Sequence, residues 1–257
     1  MVTAKERAID LYMRGIRDGE PRPALDAHIG ERYTQHSTGV KDGKEGFLEF
    51  FEPFLARHPH RYMKIHRALQ DGDKVFVHCY QNLNRGAAEW VTMDFFDTDA
   101  EGKIIEHWDV IVPYSQTNPS GRSNIDGPTE IIERDCTDAN KEVVRSFVEE
   151  VLIERELDQI ERFIDPNQYR QHNPDLPDGL ASFIARFSPD DCPLEYQELF
   201  MMVGEGNFVA SMCRTTQLGA PYCQIDLFRL ENGRIVEHWD AAEPVPPREE
   251  WANSGKF

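Results

Sequence analysis

Apolar residues recur along this chain with two different periods, and the periods alternate in blocks. Near the start, Ile9, Met13 and Ile16 fall at helical spacing behind Thr3-x-x-Glu6. That is a capping box, in which a hydroxyl and a carboxylate satisfy the first free amides of a helix. Val143, Val144, Phe147, Val148 and Val151 form a second helical stripe. Shorter helices are predicted at Leu25 to Ile29 and Leu157 to Ile164. A third helix in each half carries Phe47, Phe50, Phe51 and Phe54, or Leu180, Phe183, Ile184 and Phe187. Elsewhere the period drops to two. Strands are predicted at Tyr62 to Leu69, Lys74 to Asn82, Trp90 to Asp97 and Lys103 to Val112, and again at Glu195 to Val203, Asn207 to Thr216, Tyr222 to Leu230 and Arg234 to Ala242. Asp71-Gly72-Asp73 and Glu231-Asn232-Gly233 supply hairpin turns. Helices followed by an antiparallel meander predict an α+β fold with helices packed on one face of each sheet.

The block order occurs twice, and so do its signature residues. Tyr33-Thr34-Gln35-His36 returns as Tyr169-Arg170-Gln171-His172, an offset of 136 between the two histidines. Gly102 to Asp109, reading Gly-Lys-Ile-Ile-Glu-His-Trp-Asp, returns as Gly233 to Asp240 at an offset of 131. Met93-Asp94-Phe95-Phe96 matches Ile225-Asp226-Leu227-Phe228 between them. Ordered matches at a slowly drifting offset predict two homologous domains, residues 1–117 and 136–257, joined by a turn-rich linker at 118–135. The second domain ends in a Pro-rich tail, Pro244-Val245-Pro246-Pro247, which cannot continue a central strand.

Charge narrows the field of partners. Lys and Arg total 28 against 46 Asp and Glu, a net charge of −18. Such a surface repels phosphate backbones and anionic lipid, so neither nucleic acid nor membrane is an expected partner. No apolar run approaches the roughly 18 to 20 residues that span a bilayer. The polar start Met-Val-Thr-Ala-Lys-Glu-Arg is unlike a secretory leader. Cys79, Cys136, Cys192, Cys213 and Cys223 are odd in number and lack CxxC spacing, which fits reduced thiols in a cytoplasmic protein.

The sequence of helices, Tyr-x-Gln-His, Asp-Gly, Phe-rich helix, strands and Gly-Lys-Ile-x-Glu-His-Trp-Asp resembles the SnoaL-like branch of the nuclear transport factor 2-like superfamily. Gln171-His172-Asn173-Pro174 lies nearer that pattern than Gln35-His36-Ser37-Thr38. The resemblance covers nearly the whole chain, twice. It implies two tandem cone-shaped α+β barrels, each a strongly curved antiparallel or mixed sheet around a long helix with a pocket at the open end. It also implies pairing of the two domains into an intrachain pseudo-dimer, with further assembly into a homo-oligomer open. Polyketide cyclases, ketosteroid isomerases, dehydratases and other lyases share this fold with members that only bind, so the fold leaves the substrate open.

Strand alternation supplies the candidate chemistry. Ile105, His107, Asp109 and Ile111 share one face of their strand, and Trp90, Thr92, Asp94 and Phe96 share one face of theirs. A few polar groups among aromatics are the usual make-up of a small-molecule pocket. Burial raises a carboxylate's pKa, which suits it to proton transfer near neutral pH without an organic cofactor. Asp109 is the expected general base, His36 the general acid or orienter, and Asp94 a hydrogen-bond partner, with His107 beside them. Tyr33, Gln35, His78, Trp90 and Phe96 are expected to line the site. The second pocket's counterparts are Asp240, His172, Asp226, His238 and Tyr169. His78 becomes Ser211 there, which favours the first pocket. The expected activity is that of a lyase, isomerase or cyclase acting on a hydrophobic, aromatic or polyketide-like small molecule. The alternatives are a non-catalytic binding or assembly module, and a metal enzyme in which His36, His78, His107 and Asp109 converge on zinc or iron without an HExxH motif. Each residue also has a structural alternative. Asp94 and Asp226 can satisfy backbone donors, Trp108 and Trp239 can pack or form an interface, and Glu106 and Glu237 can sit in solvent or in an ion pair.

Overall fold

A computed structural model describes residues 2–187 and 194–257. Cys192 lies outside the described residues. The chain divides into two compact units, Met1–Pro113 with Val245–Phe257, and Tyr114–Pro244.

The first unit opens with α1 (Ala4–Asp10), whose capping box is formed: the Glu6 amide donates to the Thr3 hydroxyl at 3.1 Å and the Thr3 amide to the Glu6 carboxylate at 2.7 Å. The helix then widens into a π segment, Leu11–Arg17, where the Asp18 amide reaches the Met13 carbonyl five residues back at 3.0 Å. Such widened turns are rare and re-aim side chains. Here Leu11, Tyr12 and Ile16 become buried. Next come α2 (Pro21–His28), with proline in the first turn where its missing N–H costs nothing, β1 (Ile29–Gln35) and α3 (Gly43–Arg57). Gly43 has φ of +82°, a backbone state that favours glycine. The Asp42 carboxylate before it accepts the Gln35 amide at 2.8 Å, so Asp-Gly turns the chain from strand to helix.

Four long strands follow, β2 (Arg61–Asp71), β3 (Lys74–Leu83), β4 (Ala88–Thr98) and β5 (Ile104–Pro113). They match the predicted strands to within a few residues. The sheet order is β1-β5-β4-β3-β2. The Tyr-x-Gln segment is itself a strand, pairing parallel to β5, so the sheet is mixed. Register shifts in β2 and at the β4–β5 pairing bend the strands. The α1 and π-segment side chains pack with α3 and the inward residues of β2, β3 and β4 as one core.

The second unit repeats this architecture. It contains α4 (Thr137–Ser146) with a π segment Phe147–Ile153, a 3₁₀ turn Leu157–Arg162 where a short helix was predicted, β6 (Arg170–Gln171) and α5 (Leu180–Arg186). The strands β7 (Leu194–Glu205), β8 (Phe208–Gln217), β9 (Ala220–Glu231) and β10 (Arg234–Pro244) complete it, in the order β6-β10-β9-β8-β7.

The connecting segments are ordered parts of these units. Within the stretch read as a linker, the Asn118 amide donates to the Gln171 carbonyl at 2.7 Å and Asp126 accepts the Trp239 indole N–H at 2.9 Å, both inside the second unit. The segment Val245–Phe257, read from sequence as a tail of the second domain, packs in the first unit. There the Ala252 amide donates to the Thr38 carbonyl at 2.8 Å. No described helix is long and apolar enough to cross a membrane. No disulfide joins the described cysteines.

Candidate functional site

The β4–β5 register puts Thr92 opposite Ile111, Asp94 opposite Asp109 and Phe96 opposite His107. Since side chains alternate across a strand, these residues share one face. β3 adds Cys79 and Gln81 opposite Thr92 and Trp90, and β1 brings Gln35 beside His107. Tyr12 and Ile16 close this face from the π segment, and Phe47, Phe50, Phe51 and Phe54 close it from α3. Together they enclose a cavity of about 400 Å³. That falls within the range for small-molecule pockets. Phe50, Trp90 and Ile111 remain 36–43% exposed and form its mouth.

At the polar end, Asp94 is 1% exposed and both its oxygens are hydrogen-bonded. The Tyr12 hydroxyl donates to Oδ1 and the Thr92 hydroxyl to Oδ2, the latter at 2.8 Å. His107 Nε2 lies 3.1 Å from Oδ1, and His107 Nδ1 lies 2.9 Å from the Gln35 carbonyl oxygen. A carbonyl only accepts, so Nδ1 carries the proton. Nε2 and the Asp94 oxygen then share a single proton along their contact. Burial pushes the Asp94 carboxyl above its usual range, against the opposing hydrogen bond and charge of His107. Tyr12 and Tyr33 are pushed well up too, first by burial and then by the neighbouring carboxylates.

Asp109 behaves differently. Burial again disfavours its charge, but the Lys256 ammonium, 3.2 Å from Oδ1, and His107 outweigh it and hold the carboxyl below the usual range. Lys256 is 1% exposed. Carboxylates placed directly opposite on paired strands repel. Here the pair is resolved into one anion with a counter-ion and one carboxyl moved toward its neutral form. Separating two neighbouring groups in this way is how one site comes to hold both an acid and a base.

Of the residues expected at the site, Asp94, His107, Asp109, Tyr33, Gln35, Trp90 and Phe96 line the cavity. His36 and His78 do not. In β1, Tyr33 and Gln35 take the inward positions, so His36 turns to the other face. There it stacks on Trp108 at 4.5 Å, with Nε2 2.8 Å from Glu106 and Nδ1 2.6 Å from the Gly255 carbonyl. Both nitrogens meet acceptors outside the cavity, so the ring does not face a ligand there. His78 sits opposite Met93 on the reverse face of β3, where Arg67 contacts its Nδ1 at 3.2 Å. The four-residue metal set is therefore not assembled. Asp94, His107 and Asp109 do offer ligand atoms within 4.8 Å of one another. Their oxygens are, however, already engaged by Tyr12, Thr92 and the Lys256 cation.

The second unit brings the counterparts together in the same register, Asp226 opposite Asp240 and Phe228 opposite His238. His238 lies 2.9 Å from Asp226 and 3.2 Å from the Gln171 carbonyl oxygen. That oxygen also accepts the His172 and Asn173 amides, and the Gln171 amide donates to Tyr169. His172 again stacks on tryptophan, here Trp239, and pairs with Glu237 at 2.9 Å. The open space is treated differently. Ser37 becomes Asn173, whose amide clamps both Asp240 oxygens at 2.9 and 2.8 Å. Thr92 becomes Gln224, 3.2 Å from Asp226 and 3.3 Å from Asp240, and Tyr196 bonds both Asp226 oxygens. Side-chain amides thus engage both carboxylates of the second unit.

Sequence reasoning missed Tyr12 and Lys256. Tyr12 lay inside an apolar helical stripe, and its one signal was that its counterpart at the same offset is Val148. Lys256 had a fainter signal. Asn253-Ser254-Gly255-Lys256 echoes Asn118-Pro119-Ser120-Gly121-Arg122, and both asparagines do the same work. Asn253 donates to the Ser37 and Val40 carbonyls, and Asn118 to those of Asn173 and Leu176.

Comparison with known proteins places this architecture. Residues 9–107 match the SnoaL-like domain. Similar solved structures include a protein named as a candidate polyketide cyclase from Bacillus cereus, 20% identical, covering 42% of this chain and 73% of its own, with a TM-score of 0.37. IdmH of Streptomyces antibioticus, also named as a candidate polyketide cyclase, is 18% identical over 42% of this chain and 91% of its own, with a TM-score of 0.36. A candidate ketosteroid isomerase from Kribbella flavida is 18% identical over 44% of this chain and 87% of its own, with a TM-score of 0.35. No curated protein sequence matches the chain. Residues 9–107 are a SnoaL-like domain, and the α+β strand arrangement of that stretch occurs a second time in the chain.

Proposed function

We propose that the first unit is a general acid/base catalyst of the isomerase, lyase or cyclase type, working without an organic cofactor on a neutral, hydrophobic, aromatic or polyketide-like small molecule. One observation carries this reading: two directly opposed carboxylates at the floor of an apolar cavity, one held anionic and one sharing a proton with His107. The ionised Asp109 takes a proton from a carbon next to a substrate carbonyl. The electrons move onto the carbonyl oxygen, which receives the proton shared by Asp94 and His107. The enol then collapses by reprotonation elsewhere, by loss of a leaving group, or by attack on a second carbonyl. Positioned groups of this kind contribute roughly 10²- to 10⁴-fold. The occupied cluster of the second unit supports a structural part for that unit.

The test is hydrogen–deuterium exchange at the acidic carbons of a panel of neutral polycyclic ketones, followed by NMR in D₂O. Catalysed exchange that falls at least about a hundredfold in Asp109→Asn is expected. Ketones that raise the melting temperature without exchanging make the pocket a binding site instead.

A further inference from the structure

We propose that Lys256 is a positioning residue of the first unit's site, delivered by the segment Val245–Phe257 to hold Asp109 as the anionic member of the Asp94, His107 and Asp109 cluster. The geometry is specific. Lys256 and Asp109 are both buried and 3.2 Å apart, and the segment is tied down just before the contact. The Gly255 carbonyl accepts from His36 Nδ1, and the Asn253 amide bridges the Ser37 and Val40 carbonyls at 2.7 and 2.8 Å. A lysine carries a flexible stem, so ordering its ammonium in a buried place requires such a framework.

The second unit is the internal comparison. Its equivalent segment is anchored by Asn118 in the same way, and His172 Nδ1 again meets a carbonyl, that of Ser123, at 2.8 Å. The basic residue after its glycine, Arg122, turns instead to Asp178, with contacts of 2.7 to 3.2 Å. Asp240 is left to the neutral amides of Asn173 and Gln224. The strap of the first unit thus brings a cation to the carboxylate, while the basic residue of the second strap pairs elsewhere. The carboxylate that receives the cation lines the ligand-sized cavity of the first unit.

Five titratable groups bear on Asp109: Tyr12 from the π segment, Tyr33 from β1, Asp94 from β4, His107 from β5, and Lys256. Of these, Lys256 alone is a permanent cation at neutral pH in water. The inference deepens the acid/base reading and rests on it for its catalytic meaning, but its physical content is tested without substrate.

The experiment is a carboxyl ¹³C NMR titration of the full chain labelled at aspartate, with Asp109 assigned from Asp109→Asn and Asp240 as reference. In the wild type Asp109 stays ionised to below the ordinary carboxylate range. In Lys256→Met its midpoint rises by at least about one pH unit, a tenfold change in proton affinity. Lys256→Arg restores it, and the Asp240 signal stays in place. An unmoved Asp109 midpoint in Lys256→Met overturns the proposal. So does a wild-type midpoint at or above the ordinary range, which decides the matter even if Lys256→Met does not fold. Where a ketone is turned over, the acid limb of the kcat/KM profile moves up with the midpoint in Lys256→Met. If no ketone exchanges, the acid/base reading fails while the titration still decides the role of Lys256.

Discussion

Gln35 accepts a hydrogen bond from His107 Nδ1 at 2.9 Å, and Gln171 does the same for His238 at 3.2 Å. The Tyr-x-Gln-His motif and the Glu-His-Trp-Asp motif, some 70 residues apart in sequence, thus meet as a single device that fixes a tautomer. Gln35→Leu is expected to free the ring, so that Nδ1 and Nε2 forms mix. Imidazole ¹⁵N shifts read the tautomer directly. Any turnover should fall about tenfold to a hundredfold, the usual loss when a group orienting a functional histidine is removed. Gln35→Glu keeps the acceptor and should keep the tautomer.

Asp109→Asn leaves the buried Lys256 without its counter-ion. Removing one partner of a buried ion pair costs about 3–5 kcal/mol, whereas replacing both with apolar groups is often close to neutral. Asp109→Asn should therefore lower stability in urea unfolding. Asp109→Leu with Lys256→Met should recover much of that loss while remaining inactive. Equal instability of the single and double variants removes the ion-pair account.

Acid and base titrations of stability should separate the two carboxylates. The folded pKa of Asp94 is raised, so its favourable contribution is full below the unfolded value near 3.8 and is lost as pH rises through the folded one. Asp109 is lowered, so its contribution is present above about 3.8 and is lost as pH falls through the folded value. Between pH 4 and neutrality, the melting temperature of Asp94→Asn should rise relative to wild type. Below pH 4 the wild type should lose its margin over Asp109→Asn. Parallel curves for wild type and Asp94→Asn contradict the raised carboxyl.

The residues that engage the second unit's carboxylates should close the first site. Ser37→Asn with Thr92→Gln imports the amides that engage Asp240 and Asp226. Binding of a neutral apolar dye such as Nile red, followed by fluorescence, should weaken at least tenfold relative to wild type. Undiminished binding would place the dye, and by extension the ligand, elsewhere.

Much of this was legible in the chain. Period-two alternation in two long strands put Asp94, Phe96, His107 and Asp109 on one face, because strand geometry leaves a side chain only two directions. The same rule would have turned His36 outward had its segment been recognised as a strand. Three inward-outward steps in Tyr-Thr-Gln-His are too few to reveal a period. His78 needed the β3 register, in which Val77 and Cys79 share the face of Asp94 and Thr92. Tyr12 depended on a widened helical turn that leaves no periodic mark. Lys256 meets a partner 147 residues away, a distance at which only the paired echo of Asn-Ser-Gly-basic could have hinted at a shared place.

The strap carrying Lys256 also sets an order of events during synthesis. A ribosome releases residues 1–113 long before it reaches Trp251, and by then the whole of the second sheet has been synthesised. Throughout that interval the N-terminal half can collapse around its phenylalanines, but Asp109 has no ammonium to face. Translation must therefore run past the later copy before the earlier one can be finished, and a truncated transcript would yield a folded vessel with its charge unanswered.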